Sequence, residues 1–508
     1  MSLKRNLIAN FVGQGWTAVM GLAFTPIYIA RLGMESYGVI GLFAVMQTWL
    51  TLLDLGMTPT LTREMAKFVA DGSGVRYVRR LLRSLEVVTL GVSLLILVGV
   101  LLASGWLTRD WLKLAALTQG EAQQAVSVMA FVVALRFVES VYRGALLGLH
   151  RQVWFNVVNA ALATLRWGGA AAVVTFVSPT MAAFFLTHGV LSVVAVLLLR
   201  HKVNACLPDA DGASRFSLAV LKPVWRFALG MAALSLLTLL LTQTDKLLLS
   251  RLLALEDFGY YMLAASVSGL LYLLVIPLTQ AAYPRLVGLV ALQHSVDLAH
   301  LYHATAQAAT VLIAPMFLLL ALHGAGIVYL WSGDPVLAQR SAPLIAILAL
   351  GAFLNALMYM PAQAQMAYGW TGLLVKLNSS AAVLLIAALL WAIPRFGAIG
   401  AAWVWVALNT MYVVVGVSLM HLHILKGEQL RWYWKDVTKP LAAGALAASA
   451  GLALAPDTLS NRGAWLTYLA VSLAACFVFS LLAADALRAM LLARLRLAVD
   501  RRHLAHRR

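Results

Sequence analysis

Residues Leu229–Arg285 read LGMAALSLLTLLLTQTDKLLLSRLLALEDFGYYMLAASVSGLLYLLVIPLTQAAYPR. Two apolar runs, each long enough to cross a bilayer, flank the short charged link Ser250–Asp257. The first run contains Asp245 and Lys246. Because a charged pair inside a spanning segment is costly, this pair is a candidate functional site. The structural alternative is an internal ion pair, or a lysine that snorkels to the outer interface.

The same stretch has an earlier counterpart in the chain. The sequence RLGMESYG, which ends at Gly38, resembles RLLALEDFG, which ends at Gly259, and these glycines are 221 residues apart. A second match pairs the sequence that follows Gly148 with the one that follows Gly369, at the same separation. Two matches at one offset predict a duplicated unit, as is found in many secondary transporters.

The composition predicts a membrane protein. The chain has 508 residues, of which 62% are hydrophobic and 11% charged, and its mean hydropathy is +0.86. Its repeated apolar runs of about 20 residues are typical of spanning helices and lack the period-two alternation of spanning β-strands. We therefore predict an all-α polytopic membrane protein with about 14 transmembrane helices. The predicted spans are 8–30, 37–58, 85–104, 124–148, 153–176, 179–200, 227–250, 258–281, 303–323, 342–362, 373–393, 398–420, 440–456 and 464–484.

The distribution of charge predicts the orientation in the membrane. Of the 38 Lys and Arg residues, 28 fall in segments predicted to face the cytosol, seven in the outer links and three within spans. This asymmetry predicts a multi-pass protein with both termini in the cytosol. The net charge of +18 is thereby explained without a nucleic-acid partner. The basic C-terminal tail is predicted to bind anionic lipid, and the basic segment Leu61–Leu82 to lie along the inner surface of the bilayer.

The offset of 221 residues also predicts the domain organisation. It equates spans 1–6 with spans 7–12, and an even number of spans gives both six-helix bundles the same orientation. The bundles would be related by a pseudo-two-fold axis along the membrane normal, with a cavity between them. We predict an N-terminal bundle over residues 1–225, a C-terminal bundle over 226–425, and helices 13 and 14 with a basic cytosolic tail over 426–508.

Five short motifs in order carry a resemblance to a known family. They are Asn10–Gly13, Arg31–Gly38, Asp54–Met57 followed by Arg63, Gln243–Lys246 and Tyr283–Leu286. In this order and spacing the chain resembles the Wzx-type flippases for O-antigen and other polysaccharides. These belong to the multidrug/oligosaccharidyl-lipid/polysaccharide exporter (MOP) superfamily. The resemblance implies alternating access in the bacterial inner membrane, with an undecaprenyl-pyrophosphate-linked oligosaccharide as substrate. A polysaccharide polymerase and a chain-length regulator would then be candidate partners.

Charged residues near the predicted midplane suit an anionic substrate. Arg136, Glu139 and Arg143 stand at i, i+3 and i+7 of span 4 and therefore share one face. At about 1.5 Å per residue, Arg136 and Arg166 lie roughly 18–20 Å from the predicted inner surface of a core about 30 Å thick. We predict that the substrate is bound by Arg136, Glu139, Arg143, Arg166 and Lys246. A structural Arg136–Glu139 pair is the alternative.

Other polar residues are candidates for gating and ion coupling. Asp54, Arg63, Asp245 and Arg285 are predicted gate or ion-pair residues, and a solvated helix end is the alternative for the first two. His188 is a candidate for coupling to an ion, H⁺ or Na⁺, because histidine titrates near neutral pH. A packed, hydrogen-bonded histidine is the alternative there.

Two further functions stay open, and a third class is disfavoured. An ion-coupled drug exporter of the MATE type would need acidic residues for cationic drugs, whereas the predicted midplane excess is basic. A lipid II flippase would have the same number of helices. A membrane enzyme would need catalytic carboxylates, metal ligands or a large extramembrane loop, so we predict a transporter with no catalytic residues, metal or cofactor. The sequence contains no GxxxxGK[ST] loop, which argues against ATP as the direct driver.

Overall fold

The computed structural model describes residues 3–54, 56–72, 74–208, 216–370, 372–456 and 458–489, which are helical nearly throughout. The basic tail predicted to bind lipid falls at 490–508, outside the described residues. The helices, in order, are α1 Leu3–Ala23, α2 Thr25–Leu32, α3 Met34–Leu53, α4 Met57–Asp71, α5 Val75–Trp106, α6 Gln119–Gly148, α7 Gln152–Phe176, α8 Met181–Cys206, α9 Leu218–Leu252, α10 Leu255–Ser268, α11 Leu270–Ala291, α12 Ser295–Ser332, α13 Pro335–Leu357, α14 Tyr359–Ala367, α15 Gly372–Met411, α16 Val417–His423, α17 Gln429–Arg431, α18 Lys439–Gly451 and α19 Arg462–Ala483. Segments Leu107–Trp111, Tyr412–Gly416 and Trp432–Thr438 are π-helical, and Leu452–Leu454 is a 3₁₀ turn.

The described residues place helix at all fourteen predicted spans. Within the described part of the chain, ten helical segments are long and apolar enough to cross a membrane, judged by length and composition. One of them, Gly372–His423, breaks at Gly397, where φ is 59°, and therefore contains two predicted spans. The remaining three spans correspond to α1 with α2, to α3 and to α9.

The basic segment after α3 differs from its prediction. We predicted one surface helix over Leu61–Leu82, but α4 ends at Asp71 and α5 begins at Val75. Gly72 and Gly74, between them, have φ angles of 67° and 78°, which lie in the left-handed region that favours glycine. The chain therefore turns here, and α4 packs against α6 and α5.

Predicted span 13 begins earlier than expected. Helix starts at Gln429, whereas the predicted span starts at residue 440. Lys435 and Asp436 fall in the link between predicted spans 12 and 13, which faces the cytosol in the predicted orientation. Asp436 is in fact fully buried, so it belongs to the packed helix and its partner is described below.

The helices group into two compact units, Met1–Met262 and Leu263–Arg508. In the first unit α4, α5 and α8 pack around α6, α1 packs against α7, and α3 packs against α9. The buried stripe of α6 includes Val133, Phe137 and Val141 at spacings of four residues. The boundaries predicted at residues 225 and 425 stay a prediction.

Two glycines of the repeat face each other within the first unit. Gly38 is the fifth residue of α3, and Gly259 is the fifth residue of α10. A Cβ atom added to Gly259 would lie 2.6 Å from the carbonyl oxygen of Met34, and one added to Gly38 would overlap the carbonyl oxygen of Leu255. Any larger residue would push these helix starts apart, which gives the repeated motif a structural role.

In the second unit α11, α13, α18 and α19 pack against α12. A kink in α12 at His323, where φ is −126°, is accompanied by a hydrogen bond of 2.9 Å between His323 Nε2 and Tyr468 Oη of α19. The Trp465 ring of α19 lies directly against Gly326 of α12. The predicted spans 13 and 14, which lie outside the repeat and correspond to α18 and α19, are therefore closely packed on α12.

Candidate functional site

A polar cavity of about 210 Å³ lies among α3, α6 and the start of α4 in the first unit. Its lining consists of Gln47, Leu50, Asp54, Thr58, Arg136, Phe137, Glu139, Ser140 and Arg143. Four of these nine residues carry a formal charge, so the cavity suits a charged ligand better than an apolar one.

Helix geometry explains how these side chains converge. The charged wall of α6 is formed by residues at i, i+3 and i+7, counted from Arg136. The facing wall of α3 has the same spacing, counted from Gln47. Because residues so spaced lie on one side of a helix, each helix presents a single stripe to the cavity. The structure thus brings Arg136, Glu139 and Arg143 together on one wall.

Glu139 lies between two arginines. Arg166 of α7 donates a hydrogen bond of 2.9 Å from Nη2 to Glu139 Oε2, and the Arg166 side chain is only 2% exposed. Arg136 Nη1 is 3.9 Å from the same oxygen, which is too far for a hydrogen bond, and its side chain is 24% exposed. The closer partner of Glu139 is therefore Arg166, which pairs with it across two helices, while Arg136 faces the cavity.

Positive charge exceeds negative charge at this site. Arg136, Arg143 and Arg166 stand against Asp54 and Glu139, which leaves a formal net charge of +1. Arg136 Nε is buried and has no hydrogen-bond partner among the described residues. Since buried donors normally have an acceptor, an anion in the cavity would supply one that the protein does not.

Replacing Arg166 with alanine is expected to destabilise the protein by about 2–3 kcal/mol, because Glu139 would stay buried with only the more distant Arg136 nearby. Thermal unfolding of the purified protein in detergent measures this change. The double variant Arg166→Leu, Glu139→Leu should recover most of the loss, since it removes both charges. With the single variants Arg166→Leu and Glu139→Leu measured alongside, strictly additive effects in this double-mutant cycle would show that the two side chains do not interact.

The predicted gate residues Asp54 and Arg63 occupy different surroundings. Asp54 lies on the cavity wall, and its Oδ1 accepts a hydrogen bond of 2.6 Å from Thr58 Oγ1. This bond fixes the bend between the end of α3 and the first turn of α4. Arg63 is exposed on α4, where its Nε lies 3.2 Å from Glu64 Oε1. Their gating role stays a prediction.

Asp245 and Lys246 form a local pair, with Nζ 3.4 Å from Oδ1. Lys246 also donates to the carbonyl oxygen of Thr242 at 2.6 Å. Asp245 Oδ2 accepts a hydrogen bond of 2.6 Å from Tyr261 Oη, which ties α9 to α10. Arg285, on α11 of the second unit, is exposed. These contacts fit the structural alternative, in which Asp245 and Lys246 form an internal ion pair. The substrate-binding role of Lys246 and the gate roles of Asp245 and Arg285 stay predictions.

His188 is fully buried in an aromatic environment in the first unit. Its ring centroid lies 4.6 Å from that of Phe184, 5.1 Å from Trp167 and 6.1 Å from Phe43. Neither ring nitrogen has a hydrogen-bond partner among the described residues. His188 is therefore packed like a core histidine, but it lacks the hydrogen bonds that the packed alternative predicted. Its coupling to H⁺ or Na⁺ stays a prediction.

The second unit contains a buried polar cluster that the sequence did not predict. We name it the α12 clamp: His303 and Gln307 of α12, Glu428, and Asp436. His303 Nδ1 contacts Asp436 Oδ2, and its Nε2 lies 3.0 Å from Glu428 Oε2. His303 is 1% exposed and Asp436 0% exposed. The spacing of four residues between His303 and Gln307 was the available signal, but their partners lie more than 120 residues away.

The α12 clamp binds both ends of the pair formed by α18 and α19. Gln307 Nε2 donates to Asp436 Oδ1 at 3.1 Å. Its Oε1 accepts a hydrogen bond of 3.0 Å from the backbone N–H of Ala486, which follows α19. One side chain of α12 therefore binds the segment before α18 and the segment after α19.

Comparison with solved structures confirms the predicted fold class. A structure of the lipid II flippase MurJ in an inward closed conformation aligns with a TM-score of 0.69 at 12% identity, covering 92% of this chain and 97% of MurJ. An inward-facing multidrug resistance MATE family transporter of the MOP superfamily aligns with a TM-score of 0.67 at 15% identity, covering 80% of this chain and 94% of that one. These identities are too low to transfer a substrate.

Comparison of sequences identifies the family. A Shigella flexneri protein described as "Putative O-antigen transporter" is 20% identical over 413 residues, which cover 80% of this chain and 94% of that protein. A family model described as "Polysaccharide biosynthesis protein" matches residues 3–290. The matched proteins are transporters and flippases, not enzymes, as the sequence predicted. The chain therefore belongs to the polysaccharide biosynthesis protein family and is a multi-pass membrane protein with the fold of MOP-superfamily transporters.

Proposed function

We propose that this protein is a flippase that moves undecaprenyl-pyrophosphate-linked oligosaccharide from the inner to the outer leaflet of the bacterial inner membrane by alternating access. The observation that carries the proposal is the cationic cavity of the first unit, whose wall presents Arg136 and Arg143. Membership of the polysaccharide biosynthesis protein family and the likeness to a protein described as an O-antigen transporter support a lipid-linked glycan as the substrate.

The chemistry of the cavity suits the pyrophosphate of such a substrate. Arginine stays charged when desolvated, and its planar fork donates paired hydrogen bonds to phosphate oxygens. A charge near the middle of a membrane costs about 2.5 kcal/mol or more on insertion scales. A bound diphosphate would offset part of that cost, so the empty site favours capture of the anion.

The alternative functions fit the cavity less well or share its chemistry. A MATE-type exporter has the same fold, but Arg136 and Arg143 of the lining, together with Arg166 bound to Glu139, outnumber the two carboxylates of the site, which disfavours cationic drugs. A lipid II flippase would bind the same undecaprenyl pyrophosphate and differs in the head group that it must admit. Coupling to H⁺ or Na⁺, and association with a polysaccharide polymerase and a chain-length regulator, form part of the proposal.

A transport assay with the purified full-length chain in proteoliposomes tests this function. An undecaprenyl-pyrophosphate-linked oligosaccharide with a fluorescent label on the sugar is followed by quenching from outside, with labelled lipid II and a cationic dye in parallel. We expect protein-dependent movement of the oligosaccharide lipid. Movement of lipid II alone would assign the protein to the lipid II flippases, and movement of the dye alone would overturn the proposal.

The proposed orientation places both termini in the cytosol. A reporter fused after Arg508 should therefore behave as cytosolic, because the positive-inside asymmetry fixes this end on the basic side of the membrane. A reporter inserted near Gly333, between α12 and α13, should behave as external. A C-terminal reporter that is active only outside the cell would contradict both the orientation and the number of spans.

A further inference from the structure

A second cavity in the first unit lies beside the cationic one and has the opposite chemistry. It has a volume of about 390 Å³ and runs between α3 and α5. Its lining includes Trp49, Leu50 and Leu53 of α3, and Leu95, Ile96 and Gly99 of α5. We call this cavity the α3–α5 groove. All its lining residues are apolar or aromatic, and its one side-chain donor is the indole N–H of Trp49.

The groove and the cationic cavity meet on α3. Leu50 lines both of them, because α3 presents adjacent stripes to α6 and to α5. Trp49 Nε1 is buried in the groove wall and has no hydrogen-bond partner among the described residues. An indole N–H is only a donor, so an oxygen beside Trp49 would satisfy it. A charged cavity and an apolar groove whose wall contains an unpartnered donor thus adjoin each other along the surface of α3, with Leu50 in both walls.

The groove is open on its far side. Leu95 is 73% exposed and Leu102, further along α5, is 82% exposed. In a bilayer, side chains this exposed on a spanning helix contact lipid hydrocarbon. The groove therefore offers an apolar path from the lipid phase to the edge of the cationic cavity.

We propose that the α3–α5 groove holds the polyprenyl chain of the substrate while its pyrophosphate occupies the cationic cavity. The inference rests on the proposed function and adds to it the position of the lipid tail. An amphiphile that joins an anion directly to a long apolar chain matches these two adjoining surfaces, with the bond between the phosphate and the prenyl chain placed near Leu50. Burial of isoprene units in the groove adds binding free energy that a sugar pyrophosphate alone would lack.

Gly99 provides a direct way to close the groove. A Cβ atom added at Gly99 would meet no heavy atom within 4 Å, so a phenylalanine there fills open space in the groove without displacing the protein. Gly91, two turns earlier on the same helix, is also exposed and has equally open surroundings. It does not line the groove. Gly91→Phe is therefore a matched control, and both changes replace a poor helix former.

The test compares long-chain and short-chain substrates in proteoliposomes that contain the wild-type or variant full-length protein. Gly99→Phe is expected to weaken apparent binding of an undecaprenyl-linked substrate about tenfold or more. Binding of an analogue with two isoprene units should stay within about twofold, since such a chain hardly enters the groove. Gly91→Phe should match the wild type with both substrates.

The outcomes separate this inference from the proposed function. If the wild type fails to move the undecaprenyl-linked oligosaccharide, the function itself is wrong. If the wild type is active and Gly99→Phe binds the long chain normally, or if Gly91→Phe is equally impaired, the groove does not hold the tail. A photoreactive residue at position 99 supplies a second measurement. It should crosslink to the polyprenyl chain at saturating substrate, and crosslinks to phospholipid acyl chains alone would overturn the inference.

Discussion

Replacing Arg136 with alanine is expected to reduce polysaccharide export roughly a hundredfold, to near the level of a flippase-deficient strain. Arg136 lines the cavity, lacks a hydrogen bond to Glu139 at 3.9 Å, and has a buried Nε without a partner among the described residues. Two charge-assisted hydrogen bonds to a diphosphate would each contribute about 1.5–3 kcal/mol. Their loss corresponds to about two orders of magnitude or more in affinity or rate.

Complementation of a flippase-deficient strain measures this effect, with surface polysaccharide divided by the amount of protein in the membrane. Arg136→Lys should retain part of the activity, because it keeps the charge and loses the paired geometry. Arg80→Ala removes an exposed arginine of α5 that does not line the cavity, and should behave as wild type. Normal export by Arg136→Ala at a normal membrane level would exclude the cationic cavity as the pyrophosphate site.

The fold followed from local patterns, and the deviations have local causes that are difficult to predict. Apolar runs predicted the positions of the helices because the thickness of the bilayer sets the length of a spanning helix. The break at Gly72–Gly74 was missed because two glycines within a basic amphipathic stretch do not by themselves end a helix. The early helix start at Gln429 was missed because charged residues before residue 440 interrupt the apolar run that marks span 13.

The sequence predicted which residues of the candidate site share one face of a helix, but not which residues of different helices make contact. The common face of Arg136, Glu139 and Arg143 follows from spacing along α6. The closer partner of Glu139 is Arg166, from a different helix, and no periodicity in the sequence joins these two residues. The α3–α5 groove was missed for the same reason. Its walls are ordinary apolar residues of two helices, which have no distinctive pattern until packing leaves a gap between them.

Replacing His303 with alanine is expected to destabilise the second unit by about 3–5 kcal/mol. The ring nitrogens of His303 face the carboxylates of Asp436 and Glu428, and removal of the ring leaves Asp436 buried with Gln307 as its remaining side-chain partner. A buried carboxylate that loses a hydrogen-bond partner carries most of its desolvation cost uncompensated. Since the α12 clamp binds both ends of the pair formed by α18 and α19, this pair should detach from α12 before the rest of the unit unfolds.

Cys476 provides the measurement, because it is a free, fully buried cysteine on α19. In a Cys206→Ser background, labelling of Cys476 by a maleimide should be slow in the wild type and much faster in His303→Ala. His300→Ala, an exposed histidine one turn earlier on α12, is the matched control and should label slowly. The double variant His303→Leu, Asp436→Leu should restore slow labelling, because replacing both partners of a buried polar pair by apolar residues is often neutral or stabilising. If Cys476 is labelled as slowly in His303→Ala as in His300→Ala, His303 does not hold these helices on α12.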